Sequence, residues 1–223
     1  MSDTTYSSLQ VLQQAIVSCR LCPRLVAWRE SVPAKPANKD APHWRRPVPG
    51  FGDPSAHLFI TGLAPSAQGG NRTGRIFTGD KSADFLFSVL YKAGFANQPR
   101  SVAKDDGLCL KGCYLTACVK CVPPQNKPTH QECVSCSQYW KAELSLLPHV
   151  SSILVLGKFA FDAVISYAKE KKAYIGGRPS FSHGAIYKMI GFPTIYASYH
   201  PSPQNTNTGR LTEKMLLDIL MLT

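Results

Sequence analysis

The sequence predicts an α/β protein with a central, mainly parallel four-stranded sheet, helices on both faces and three layers stacked αβα. Three observations predict it. Four β-prone runs recur along the chain: HLFITGLAP from His57, CYLTACVKC from Cys113, SSILVLG from Ser151 and PTIYASYHPSPQN from Pro193. Each run empties into a loop rich in Gly or Pro, which breaks regular structure. The first three are followed by stretches of helical character, and strands alternating with helices close most simply as parallel strands with helical crossovers. The loops leaving the carboxyl ends of such strands are where a site is expected.

In chain order, residues 7–30 carry Leu9, Leu12 and Ile16 before the pair Cys19 and Cys22, which predicts a short amphipathic helix running into a ligand loop. Lys35 to Gly50 is rich in Pro, Asn and charge, and reads as a surface loop in which Trp44, Arg45 and Arg46 could meet a phosphate backbone. Helices are expected over Ser82–Ala93 after the first strand, through Tyr139 and Leu147 after the second, and over Lys158–Ala168 after the third. No internal repeat or low-complexity tail interrupts this order, so residues 1–223 are expected to form a single domain.

Composition narrows the function classes. The 223 residues carry 25 Lys plus Arg against 14 Asp plus Glu, a formal charge of +11, which favours a polyanionic partner such as nucleic acid. No apolar run reaches the roughly 20 residues that span a bilayer, and the segment Met1 to Gln10 is polar, without a basic-then-apolar signal layout. A cytoplasmic protein without membrane attachment is expected. There, eight cysteines would not persist as disulfides, so paired thiols read as metal ligands. Cys19 and Cys22 form one CxxC; Cys118, Cys121, Cys133 and Cys136 form two more at the same spacing. Six candidates compete for four places, and thiolate-only sites suit zinc or an iron–sulfur cluster equally well on spacing alone.

CPRL completing the first CxxC, VPGFGDP, GLAPSAQGGNRTGRIFTGD, VKCVPPQNKP and HPSPQNTNTGRLT occur in this order over nearly the whole chain. Together they resemble the family 5, or B-type, uracil-DNA glycosylases, the iron–sulfur members of the uracil-DNA glycosylase superfamily. The resemblance implies that superfamily's fold and the excision of uracil and other deaminated bases from DNA. It implies a 4Fe-4S cluster on Cys19, Cys22, Cys121 and Cys136, with Cys118 and Cys133 as neighbours at positions where the family does not require cysteine. Cys109 and Cys113 are left as free thiols. The cluster's expected role is structural, because breaking a glycosidic bond moves no net electrons.

N-glycosidic cleavage builds positive charge on the sugar and negative charge on the departing base, so an acceptor must face one and donors the other. The resemblance assigns Asp80 to orienting the water and stabilising the sugar cation; by residue type alone it is equally a cap for the following helix. Phe77 corresponds to the aromatic that stacks on the flipped base. His200, in YHPSP, corresponds to the donor to the base carbonyl, and Asn126, in PPQNKP, helps position water or base. Gly62, Ala64 and Ala117 line the base pocket. Ala64 stands where the better-known relatives carry a water-activating Asp, and Ala117 where uracil-strict relatives carry an Asn, so hypoxanthine should also be admitted. Arg72, Arg75, Lys127 and Arg210 are candidate phosphate contacts, and Gln204 stands where some relatives place an apolar wedge. No Lys is placed for lyase chemistry, so a monofunctional, monomeric enzyme is expected. A non-enzymatic, zinc-stabilised nucleic-acid-binding module is the alternative. A Ser66, His200, Asp80 triad is disfavoured because no GxSxG elbow is present.

Overall fold

The computed structural model describes residues 6–39, 43–174, 177 and 179–223. In chain order the elements are α1 (Leu9–Ser18), α2 (Pro23–Ser31), β1 (Phe51–Gly52), β2 (Leu58–Gly62), α3 (Gly70–Thr73), α4 (Lys81–Lys92) and β3 (Cys113–Ala117). Then come α5 (His130–Ser145), β4 (Ser152–Leu156), α6 (Lys158–Glu170), β5 (Ile186–Tyr187), β6 (Thr194–Ser198), α7 (Pro203–Thr206) and α8 (Glu213–Leu220). The sheet has six strands in the order β1-β3-β2-β4-β6-β5. Its four central strands, β3, β2, β4 and β6, are parallel to one another, as the sequence predicts. The two edge strands, β1 and β5, are antiparallel and two residues long, too short to register as a periodic pattern.

Alternation along each central strand divides the core. Leu58 and Ile60 of β2, Leu115 of β3 and Leu154 of β4 face one side, where Leu86, Val89 and Leu90 of α4 pack with Leu216, Ile219 and Leu220 of α8. Phe59, Tyr114, Ile153, Val155 and Ile195 face the other, against Trp140 of α5 and Phe161 and Val164 of α6. Each such side chain stabilises the fold by about 1.5–3 kcal/mol on leaving water. Helix α8 is not among the helices expected from the sequence, although Thr212 caps it through the Met215 N–H and its apolar residues recur at helical spacing. A third cluster joins Leu12 and Ile16 of α1, Leu25 of α2 and Tyr139 of α5 to Val119, Cys121 and Cys136.

From β2 the chain crosses to β3 on one side of it and then to β4 on the other. The crevice beyond the carboxyl ends of β2 and β4 is therefore a topological switch point, where a ligand site is expected in an open α/β sheet. The Lys35–Gly50 segment is not wholly a surface loop. Val48 and Gly50 are buried, the Val48 N–H donates to the Lys120 carbonyl at 2.7 Å, and the Gly50 N–H donates to Glu143 at 2.9 Å. Among the described residues no helix is long and apolar enough to cross a membrane.

Candidate active site

Gly62 ends β2 and pairs in register with Ala117, which ends β3. The chain leaving β2 returns through α3 to Phe77 and Asp80 at the start of α4. Asp80 caps that helix: its Oδ1 accepts from the Ala83 N–H at 2.9 Å. Its other oxygen, Oδ2, accepts from the Ser66 hydroxyl, which itself accepts the Gly69 N–H at 3.0 Å. A side chain at Gly69 would put its Cβ 2.2 Å from Asp80 Oδ2, so only glycine lets the backbone approach this closely. Both carboxylate oxygens are thus fixed at the amino end of α4, where the helix dipole favours a negative charge. Serine meets aspartate directly, with no imidazole between them, which is not the arrangement of a hydrolytic triad.

Phe77 has a left-handed backbone, φ +49, and is buried in the same cluster as Ala117. A bulky residue at positive φ is strained, and such strain persists only where the surrounding structure holds it. Gly62 leaves the room: a Cβ there would lie 3.0 Å from Phe77 Cζ. His200, on the loop after β6, brings its ring to 6.1 Å from that of Phe77, centroid to centroid. Its carbonyl accepts from the Ser202 N–H and the Asn205 amide, both at 2.8 Å, which fixes the loop. Gly157, at the end of β4 with φ +96, would place a Cβ 3.3 Å from His200 Cβ. Burial lowers the His200 pKa below the ordinary 6.5, opposed by the nearby Asp80 charge. The imidazole is therefore neutral at neutral pH, with one N–H to donate.

A second feature lies behind this mouth. Cys19, Cys22, Cys121 and Cys136 line one cavity with Leu21, Leu25, Val26, Pro47, Tyr139 and Arg29. Cys22 immediately precedes Pro23 at the first position of α2, Cys121 follows β3, and Cys136 projects from α5. The Arg29 guanidinium lies 3.0 Å from Cys121 Sγ, and the Lys120 N–H donates to Cys136 Sγ at 3.2 Å. Burial pushes the Cys121 thiol up to about 11 and raises that of Cys136 further. Among the described residues, no three Cys, His, Asp or Glu side chains are drawn together into a metal-holding group. An all-sulfur donor set with hydrogen-bonded sulfurs and apolar walls fits an iron–sulfur cluster. Cys118 is buried beside Thr61 and Cys133 is half-buried, both outside the cavity lining.

The uracil DNA glycosylase superfamily model matches residues 49–221. The chain belongs to that superfamily. It is 50% identical to the type-5 uracil-DNA glycosylase of Thermus thermophilus over 93% of each chain, and 43% identical to that of Pyrobaculum aerophilum over 92% of this chain and 87% of the relative. The type-4 uracil-DNA glycosylase of Sulfurisphaera tokodaii is more distant, at 27% over 93% of this chain and 81% of the relative.

In this superfamily member the mouth gathers Gly62, Phe77, Asp80, Ala117 and His200. Asn126 stands apart, exposed in the turn Pro124–Asn126 at φ +57, and no hydrogen bond links it to Asp80, Phe77 or His200. Ala64 packs against the third core cluster, on the thiol side. Arg75 is a correction. It is 6% exposed and spends its donors on Thr78, Ser101, the Lys104 carbonyl and both oxygens of Asp106, so it is not available to a phosphate. Arg72 is half-buried, donating to the Gln68 carbonyl, while Lys127, Gln204 and Arg210 are exposed. Arg210 lies over the Tyr199 ring at 4.4 Å. Ser66, Gly69, Gly157 and Asn205 support the mouth without standing out in the sequence as supports. GLAPSAQGG does carry a signal for Gly69, a glycine pair shortly before a capping Asp.

Proposed function

We propose that the protein is a monofunctional uracil-DNA glycosylase that removes uracil and other deaminated bases, hypoxanthine included, through a flipped-out nucleotide. The observation that carries this reading is the convergence of Asp80, Phe77 and His200 beyond the carboxyl ends of the sheet in a member of this superfamily. Residues 1–223 act as one domain and one monomer in cytoplasmic DNA repair.

The flipped base lies against Phe77, between the backbones of Gly62 and Ala117. As the C1′–N bond breaks, its electron pair goes to the base, and the His200 N–H stabilises the charge that gathers on the base carbonyl. Asp80 faces the sugar, balances its growing positive charge and orients the water whose oxygen joins C1′. The water's proton leaves by way of Asp80, and the base departs with a proton from solvent. Asn126 closes on the water or base when DNA is bound. Arg72, Lys127 and Arg210 hold phosphates, and Gln204 fills the vacated stack. With no amide at Ala117 to read a pyrimidine edge, a purine product is admitted.

Cys19, Cys22, Cys121 and Cys136 would hold the 4Fe-4S cluster, which supplies no electron to the reaction. Its ligands come from the α1–α2 connection, the end of the β3 strand and α5, so it fastens the N-terminal helices to the loop carrying Asn126. A zinc-stabilised binding module would leave the capped carboxylate and the histidine without work.

Duplex DNA carrying one uracil or one hypoxanthine, incubated with the protein and treated with alkali, should break at the lesion. Intact strands at low salt reject the glycosylase. Iron and acid-labile sulfide in the purified protein test the cluster, and zinc in their place rejects it.

A further inference from the structure

A groove of about 730 Å³ is lined by α1, α2 and the segment 44–49. Trp44, Arg45, Arg46 and Lys104 line it, with Gln13 of α1, Arg20 of the α1–α2 connection and Arg29 of α2. It is continuous with the reacting loop, because the Trp44 N–H donates to the Arg72 carbonyl at 2.8 Å and the Arg45 N–H to the Asn71 carbonyl at 3.0 Å.

Its charge is unbalanced. Five cations line it, and the carboxylate among the described lining residues is Glu30, held by Arg20 at 2.7 Å and within 3.7 Å of Arg29, which leaves Arg45, Arg46 and Lys104 without a carboxylate in the lining. One of the guanidinium groups is incompletely bonded as well. Arg45 Nε is buried and has no partner among the described residues. A buried donor left without an acceptor is costly, and a bound anion is one partner that would complete it. Arg45 also holds a left-handed backbone, φ +51, a conformation that is strained for a non-glycine residue.

The indole decides which anion fits. Lys104 Nζ sits 4.5 Å and the Arg46 guanidinium carbon 5.9 Å from its centroid, and the ring rests so close to Gly74 that a Cβ there would meet it at 2.7 Å. An indole covered in this way is not free to stack on a base. It is a platform that holds two cations forward.

We propose that this groove is a second DNA-contacting site, which takes the phosphodiester backbone of the duplex outside the lesion through Arg45, Arg46 and Lys104. The site extends the proposed glycosylase reading to a longer footprint, but its test does not require excision. Binding of the whole protein to a short duplex without a lesion is followed by fluorescence anisotropy over a range of salt concentrations. Replacing Arg46→Gln and Lys104→Gln together should reduce the slope of log affinity against log salt by about 2, near 0.9 for each phosphate no longer neutralised. Circular dichroism and thermal melting of the variant should match those of the parent, which shows that it is folded. A control pair, Lys111→Gln with Lys188→Gln, removes the same charge elsewhere and should leave the slope in place. An unaltered slope in the groove variant, or an equal fall in the control, overturns the proposal. So does a groove variant that loses only its binding of inorganic phosphate, since the site would then serve the free ion. Failure of excision in the unaltered protein, with the slope effect intact, would reject the glycosylase and not the groove.

Discussion

The mouth of the sheet and the thiol cavity behind it are finished to different degrees. At the mouth, both oxygens of Asp80 are hydrogen-bonded and the His200 loop is pinned through its carbonyl, so the two residues proposed to react are held in place by the protein itself. In the cavity, burial pushes the thiols toward their neutral form while a buried guanidinium, with one nitrogen unpartnered, lies against a sulfur. Protein atoms alone complete the first region. The second would become a satisfied core if its sulfurs carried negative charge on the proposed cluster.

The largest expected effect separates the two regions cleanly. Asp80→Ala and His200→Ala should each slow single-turnover excision by up to about 10⁴-fold while DNA affinity and iron content stay near those of the parent. Equal losses of rate and affinity would turn these residues into binding groups. On the cavity side, Lys120 and Glu143 form a fully buried ion pair at 2.7 Å, tied to Thr116 and to the Gly50 N–H. Breaking it with Glu143→Gln should cost about 3–5 kcal/mol in denaturant melts, because Lys120 would keep a buried charge without its counter-ion. A loss below about 1 kcal/mol would mean that water reaches the pair.

Gly69→Ala should lower excision by about 10²-fold by displacing Asp80, without loss of iron. Iron loss in that variant would show that the two regions are mechanically one. The smallest effect is a titration. His200 should hold its neutral form to a lower pH than a free histidine, since burial lowers its pKa below 6.5. The unfolded chain takes up that proton first, so this contribution to stability is present above about pH 6.5 and is lost as pH falls below it. Asp80→Asn removes the charge that favours protonation, and the ring's NMR titration should move lower still. Movement upward would mean that Asp80 does not act on His200.

The sequence made the four parallel strands legible because each apolar run ends at a Gly or Pro junction, and those junctions carry the mouth. The edge strands were not legible, since two residues have no period. Helix α8 could have been read from Thr212 and the spacing of Leu216, Ile219 and Leu220. Arg75 misled for a different reason. A charged residue in a Gly-rich loop looks exposed, and its partner Asp106 lies 31 residues away with nothing local to announce it. The capping role of Asp80 was local and legible, whereas Ser66 became its partner only because Gly69 lets the chain turn back on itself.

The thiol cavity also has a history within each molecule's synthesis. It is closed by pieces far apart in the chain: Arg29 and Cys121, which touch across its wall, are separated by 92 residues. At roughly 5–20 residues per second, the CxxC of Cys19 and Cys22 waits on the order of 5–20 s outside the ribosome before its partners emerge. During that interval it is an exposed vicinal dithiol, open to oxidants and to stray soft metals. The four thiols can meet only once α5 has been made, so a group that all four hold is completed after more than half of the chain is synthesised.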